Sequence, residues 1–142
     1  MSGHEDFWDA VDTLREGSPD YAREAYGFVL HALGETVRSL PTERREHPVE
    51  RHLSGGELLD GTARLARDEF GELAPMVFRE WGVRSSEDVG RIVFQLVDSG
   101  QLSARPEDTV EDFRAGFDLM AALASSGAAA NGAEASGSGP AA

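Results

Sequence analysis

Residues 21–40 read YAREAYGFVLHALGETVRSL, and their apolar side chains fall on two adjacent stripes at helical spacing. Tyr21, Ala25, Phe28 and Ala32 form one stripe; Val29, Leu33, Val37 and Leu40 form the other. A helix with so broad an apolar face must be covered from more than one side, so the stretch predicts the central helix of a bundle. Ser18-Pro19 just before it pairs a capping residue with a proline suited to the first helical position. The sequence therefore predicts a helix from that pair to about Ser39.

Upstream, Ser2 and Glu5 have capping-box spacing ahead of Phe7, Trp8, Val11 and Leu14, which predicts a first helix closed by Gly17. Downstream, residues 40–53 are charged and bounded by Pro41 and Pro48, the composition of a linker. Ser54 and Glu57 form a second capping box before Leu58, Leu59, Thr62, Leu65, Ala66 and Phe70. Gly71 and Pro75 predict a break after that helix. A short helix should follow with Leu73, Val77, Phe78 and Trp81 inward, Trp81 largely buried, and Gly82 as its stop. Ser85 and Asp88 open a further helix, with Val89, Ile92, Val93, Leu96 and Val97 inward and Gly100 at its end. Gln101 to Arg105 are long enough for one short β element. Thr109 and Asp112 start a turn or short helix carrying Phe113, which Gly116 separates from residues 119–124. The fold class expected is mainly α: an irregular bundle of about five helices, with room for one short β element, in a single domain over residues 1–124. Residues 125–142 are almost wholly Ala, Gly and Ser, with Glu134 their single charge; such a segment cannot offset its ordering entropy and is expected to be a flexible, disordered tail.

Composition narrows the function classes. The chain has 142 residues, no cysteine and a formal net charge of −13, and all its Lys+Arg positions are arginine. Without cysteine there is neither a disulfide framework nor a thiolate metal site. The acidic excess opposes nonspecific binding to nucleic acid or anionic membrane, which both require clustered positive charge. The first residues, Met1 to Asp6, have no basic region followed by an apolar stretch, and no apolar run approaches the ~20 residues of a bilayer span, so a cytoplasmic location is expected.

From Asp20 to about Leu119 the chain resembles a family of small bacterial proteins of uncharacterised activity. The matching stretches are Asp20-Tyr21 with Ala25-Tyr26-Gly27-Phe28-Val29, then Arg51-His52-Leu53-Ser54-Gly55-Gly56-Glu57-Leu58-Leu59, Phe70-Gly71, Trp81-Gly82-Val83, Glu87-Asp88-Val89-Gly90-Arg91-Ile92-Val93-Phe94 and Glu111-Asp112-Phe113. Val89 stands where the family pattern has an aromatic, and the Gly/Ala tail is a second departure. The resemblance implies a domain boundary and a break near Gly116; it implies no activity, substrate or cofactor.

Among candidate sites, Arg51, His52, Ser54, Gly55 and Gly56 gather at a predicted helix start, where free amides and a partial positive charge can hold a phosphate or carboxylate. The competing structural role is that Ser54 and Glu57 cap the helix and Arg51 pairs with an acid, and caps far outnumber anion sites. The glycines match neither a phosphate-binding loop nor a dinucleotide fingerprint. His4, His31, His47 and His52 have no ligand spacing. The two short helices around Gly82, followed by residues 101–105, have the outline of a helix-turn-helix with a wing. The polar positions of the second, Glu87, Asp88, Arg91, Gln95 and Asp98, are acidic on balance, which favours plain helix packing. With no catalytic motif and no cofactor implied, the expected function is a non-catalytic cytosolic interaction or adaptor protein, its partner a protein. The alternatives are an enzyme or small-anion-binding domain using residues 51–57, and an acidic helix-turn-helix-like regulator. One consequence concerns the tail. Removing residues 125–142 is expected to leave the melting temperature unchanged, because the segment has no apolar side chain larger than that of Pro140; a clear drop in a thermal melt would show that it packs.

Overall fold

The computed structural model describes residues 3–48, 52–102, 113 and 117–124. Over these it is a mainly α bundle: α1 (Gly3–Gly17), α2 (Arg23–Arg38), α3 (Thr42–Arg45), α4 (Gly55–Phe70), a 3-10 turn (Gly71–Leu73), α5 (Ala74–Glu80), α6 (Ser86–Asp98) and α7 (Leu119–Ala124). No strand occurs among the described residues. Of the expectations above, Ser2, Arg51, most of the segment expected to hold a β element, Gly116 and the 125–142 tail lie outside them.

The central role of α2 follows from its two stripes. It packs against α1, α4 and α6, burying Ala25, Tyr26, Phe28, Val29 and Ala32. Phe28 gathers Phe70 from the end of α4, Phe78 from α5 and Trp81 just beyond α5, at ring-centroid distances of 5.5, 5.6 and 5.5 Å. Tilted and edge-to-face pairs at such spacing add to the stabilisation from burial. α4 buries Leu58, Leu59, Ala63 and Ala66, and α7 lies across α4 and α5 with Leu119 and Leu123 in the core. Arg67 of α4 donates to the Ala122 carbonyl at 2.7 Å and fixes that crossing.

α2 starts at Arg23, four residues after Pro19, and not at the Ser18-Pro19 pair. Tertiary contacts explain the delay. The Ser18 hydroxyl accepts from the Gln95 amide at 3.0 Å, so it does not cap. The helix is entered from Ala22, which has no side-chain cap, while its N–H donates to the Trp81 carbonyl at 3.0 Å. The facing turn needs Gly82, which has φ +86 and where a β-carbon would stand 2.5 Å from the Asp20 carbonyl oxygen.

Four other expectations are corrected. Residues 40–53 are not a bare linker, since α3 forms within them. Leu73 is exposed, because it belongs to the 3-10 turn, where side chains advance out of phase with the α-helical stripe. Trp81 is half-buried: it closes the outside of the aromatic cluster, and the fully buried ring is Phe78. Val97 is only partly buried, and Phe94 packs against the core in its place, edge-on to Phe113 at 6.2 Å.

α2 and α4 approach each other closely at Gly61. A β-carbon on Gly61 would stand 1.9 Å from Thr36 Oγ1 and 3.1 Å from Thr36 Cβ. Gly61→Ala is expected to destabilise by about 1–3 kcal/mol through overpacking. Adding Thr36→Ala removes the nearest atom and should restore part of the loss. Chemical denaturation of the two single variants and the double variant measures the coupling; additive effects would mean that the two sites do not clash.

Candidate functional site

The start of α4 is built as a closed electrostatic unit. Ser54 Oγ accepts from the Glu57 amide at 3.1 Å and Glu57 Oε1 accepts from the Ser54 amide at 2.9 Å, so the predicted capping box is present. Arg44 of α3 then closes on the same carboxylate. Its Nη2 donates to Glu57 Oε1 at 2.7 Å and to the His52 carbonyl at 3.2 Å, and its Nη1 donates to Glu57 Oε2. The Arg44 hydrogen bond, with the Ser54 amide, holds the Glu57 carboxyl far down, to about 2, against the opposing effect of burial.

The structure thus brings His52, Ser54, Gly55 and Gly56 together, with Arg51 outside the described residues. The anion seated at this helix end is the chain's own Glu57, and its cation is Arg44. Sequence reading did not find Arg44, which lies 13 residues from its partner in a stretch without helical periodicity.

The polar face of α6 is also engaged within the fold. Tyr21 Oη donates to Asp88 Oδ1 at 2.7 Å, and Arg91 reaches the same oxygen at 2.8 Å. The amides of Arg84 and Ser85 donate to Asp88 Oδ2 at 2.8 and 3.1 Å, and the predicted helix start at Ser85 and Asp88 is a capping box. Tyr26 Oη donates to Gln95 Oε1 at 2.6 Å, while Gln95 donates to Ser18. Burial, and for Tyr21 the neighbouring Asp88, pushes both phenols up to about 12, so they remain protonated donors at neutral pH. Burial raises the Asp88 carboxyl, but the Tyr21 hydroxyl, the two amides and Arg91 outweigh it and leave it below its ordinary value. Asp88 and Gln95, two side chains that a recognition helix would turn outward, instead bind α6 to the α1–α2 connection and to α2, with the exposed Arg91 beside Asp88.

Other features are slighter. Thr36, Gly61, Arg64 and Asp68 are among the residues lining a cleft of about 130 Å³ between α2 and α4. No group of three or more His, Asp or Glu suited to a metal occurs among the described residues, and no helix among them is long and apolar enough to cross a membrane.

Sequence reading also missed a surface feature. Among the described residues, the exposed large hydrophobics are Leu73 (56 % accessible) and Met76 (48 %). They lie three residues apart, with half-buried Val77 beside them. The available signal was Met76, an apolar residue off the stripe of Ala74, Phe78 and Trp81.

No family model, curated protein or solved structure matches the chain.

The Arg44–Glu57 contact makes a direct prediction. A carboxyl whose folded value is about 2 against an ordinary 4.5 favours the folded state fully above pH ~4.5, and that contribution fades as pH falls towards 2. In a carboxyl-detected NMR titration, the Glu57 midpoint should lie near 2 and should rise by about 1 or more in Arg44→Gln, with the capping box left in place. An unchanged midpoint in Arg44→Gln would show that the arginine is not what holds it down.

Proposed function

We propose that this chain is a non-catalytic cytosolic interaction or adaptor protein that engages a protein partner through the 3-10 turn and the adjoining flank of α5, which carry Leu73 and Met76. The observation that carries the reading is the coincidence of these two exposures. Scattered apolar side chains on a surface need no explanation. Here both exposed large hydrophobics among the described residues lie three residues apart, beside the aromatic cluster of Phe70, Phe78 and Trp81. Methionine suits such a surface, since its unbranched, polarisable side chain adapts to a partner.

The alternatives draw less support. The helix start at residues 51–57 has its positive end matched by Glu57. The cleft between α2 and α4, about 130 Å³, is smaller than the ~300–1,000 Å³ of ordinary small-molecule sites. A helix-turn-helix regulator would turn Asp88 and Gln95 toward a duplex, whereas they bond to Tyr21, Tyr26 and Ser18.

Leu73→Ser/Met76→Ser should leave the melting temperature nearly unchanged, because neither side chain is in the core. In pull-downs from the native host, a protein recovered with the unaltered chain should be lost with this variant. An identical set of co-purifying proteins for both would exclude the α5 flank as the docking surface.

A further inference from the structure

The charge around Leu73 and Met76 specifies the kind of partner. From residue 68 to residue 80 the charged side chains are Asp68, Glu69, Glu72, Arg79 and Glu80, all exposed. Four carboxylates less one guanidinium leave a local charge of −3 on the segment that bears the apolar pair. Met76, Val77 and Glu80 share one flank of α5 by helical spacing, and Glu72 and Leu73 lie in the 3-10 turn that leads into it. The one cation, Arg79, points at the sulfur of Met120 at 3.7 Å. The surface is thus an apolar anchor point with an acidic rim.

We infer that this flank receives a basic, apolar-anchored segment of a different protein, an amphipathic helix or strand with Lys or Arg beside its buried side chains. The inference rests on the docking reading above and adds the partner's chemistry to it. The other possible occupants are opposed by charge or composition. A second copy docking through the same flank would set two such acidic rims face to face, each on a chain of net charge −13. An anionic lipid surface is repelled for the same reason. Residues 103–112 carry Glu107, Asp108, Glu111 and Asp112 against Arg105 and so share the sign of the rim. Residues 125–142 have no apolar side chain larger than that of Pro140 to cover Leu73. A basic segment gains from both features: its apolar residues bury Leu73 and Met76, and its charges meet Glu72 and Glu80. Complementary charge of this kind sets partner choice and association rate more than it sets affinity.

The test uses the full chain, isotopically labelled, and three synthetic peptides. All three share one amphipathic leucine face, and their polar positions are filled with lysine, glutamine or glutamate. Because any polycation is drawn to so acidic a chain, the location of binding decides, not its occurrence. The lysine peptide is expected to shift the amide resonances of Leu73, Met76, Val77 and Glu80, to bind more tightly than the glutamine peptide, and to weaken as salt is raised. Its affinity should fall about tenfold in Leu73→Ser/Met76→Ser, the loss expected when an apolar anchor is removed. It should also fall in Glu72→Gln/Glu80→Gln, while binding of the glutamine peptide stays the same. If the glutamine peptide binds this flank as tightly as the lysine peptide, the basic-partner inference fails and the docking reading stands. If the lysine peptide shifts only resonances away from α5 and ignores Leu73→Ser/Met76→Ser, both fail.

Discussion

A β-carbon on Gly61 has no room beside Thr36, and the closeness of α2 and α4 at that point constrains the rest of the fold. Glycine at this position lets two helix backbones come together with Thr36 filling the space. Thr36 meanwhile satisfies its hydroxyl on the Ala32 carbonyl of its own helix, at 2.7 Å. Once α2 and α4 are fixed there, Phe28 and Phe70 meet further along, and α5 is drawn in through Phe78 and Trp81. Ala22 then bonds to the Trp81 carbonyl, and Gly82 lets the turn before α6 lie against Asp20. α6 finds its place through Asp88 and Gln95, which bind the tyrosines at the head of α2. Each contact involves α2 or the turn that leads into it.

The polar residues that attract functional readings are absorbed by this arrangement. Arg44, Ser54 and Glu57 join α3 to the start of α4; Asp88 and Gln95 join α6 to the α1–α2 connection and to α2. Partly buried charge must be paired, and the hydrogen bonds that pair it also fix geometry. What remains outward is the turn after α4, where Gly71, with φ +56, and the 3-10 step rotate Leu73 out of the core. The same break that lets Phe70 and Phe78 face Phe28 therefore leaves Leu73 and Met76 in solvent, so core packing and the proposed docking surface share one local cause.

Features governed by short-range chemistry were legible in the sequence. The box at Ser54/Glu57 and the helix start at Ser85/Asp88 need only three-residue spacing, and the double stripe of α2 needs only periodicity. The boundary at α2 was misjudged because Ser18 bonds to Gln95, 77 residues away, a competitor that no local pattern reveals. Leu73 was placed inward because an α-helical period was carried across a 3-10 turn. Arg44 was passed over because its partner lies in another helix. In the candidate site, the arginine that meets the residues at the start of α4 is Arg44, while Arg51 lies outside the described residues.

The central claim is that α2 is the element on which the others depend, and native-state hydrogen exchange tests it most directly. If the account is right, amides of residues 26–32 in α2 and their neighbours in α4 exchange only through global unfolding, with protection matching the full unfolding free energy. The short α3 and the turn at residues 71–73 should open at lower cost. Amides of α2 that exchange at free energies well below those of α6 would contradict the account, because α6 could not then be held in place by α2.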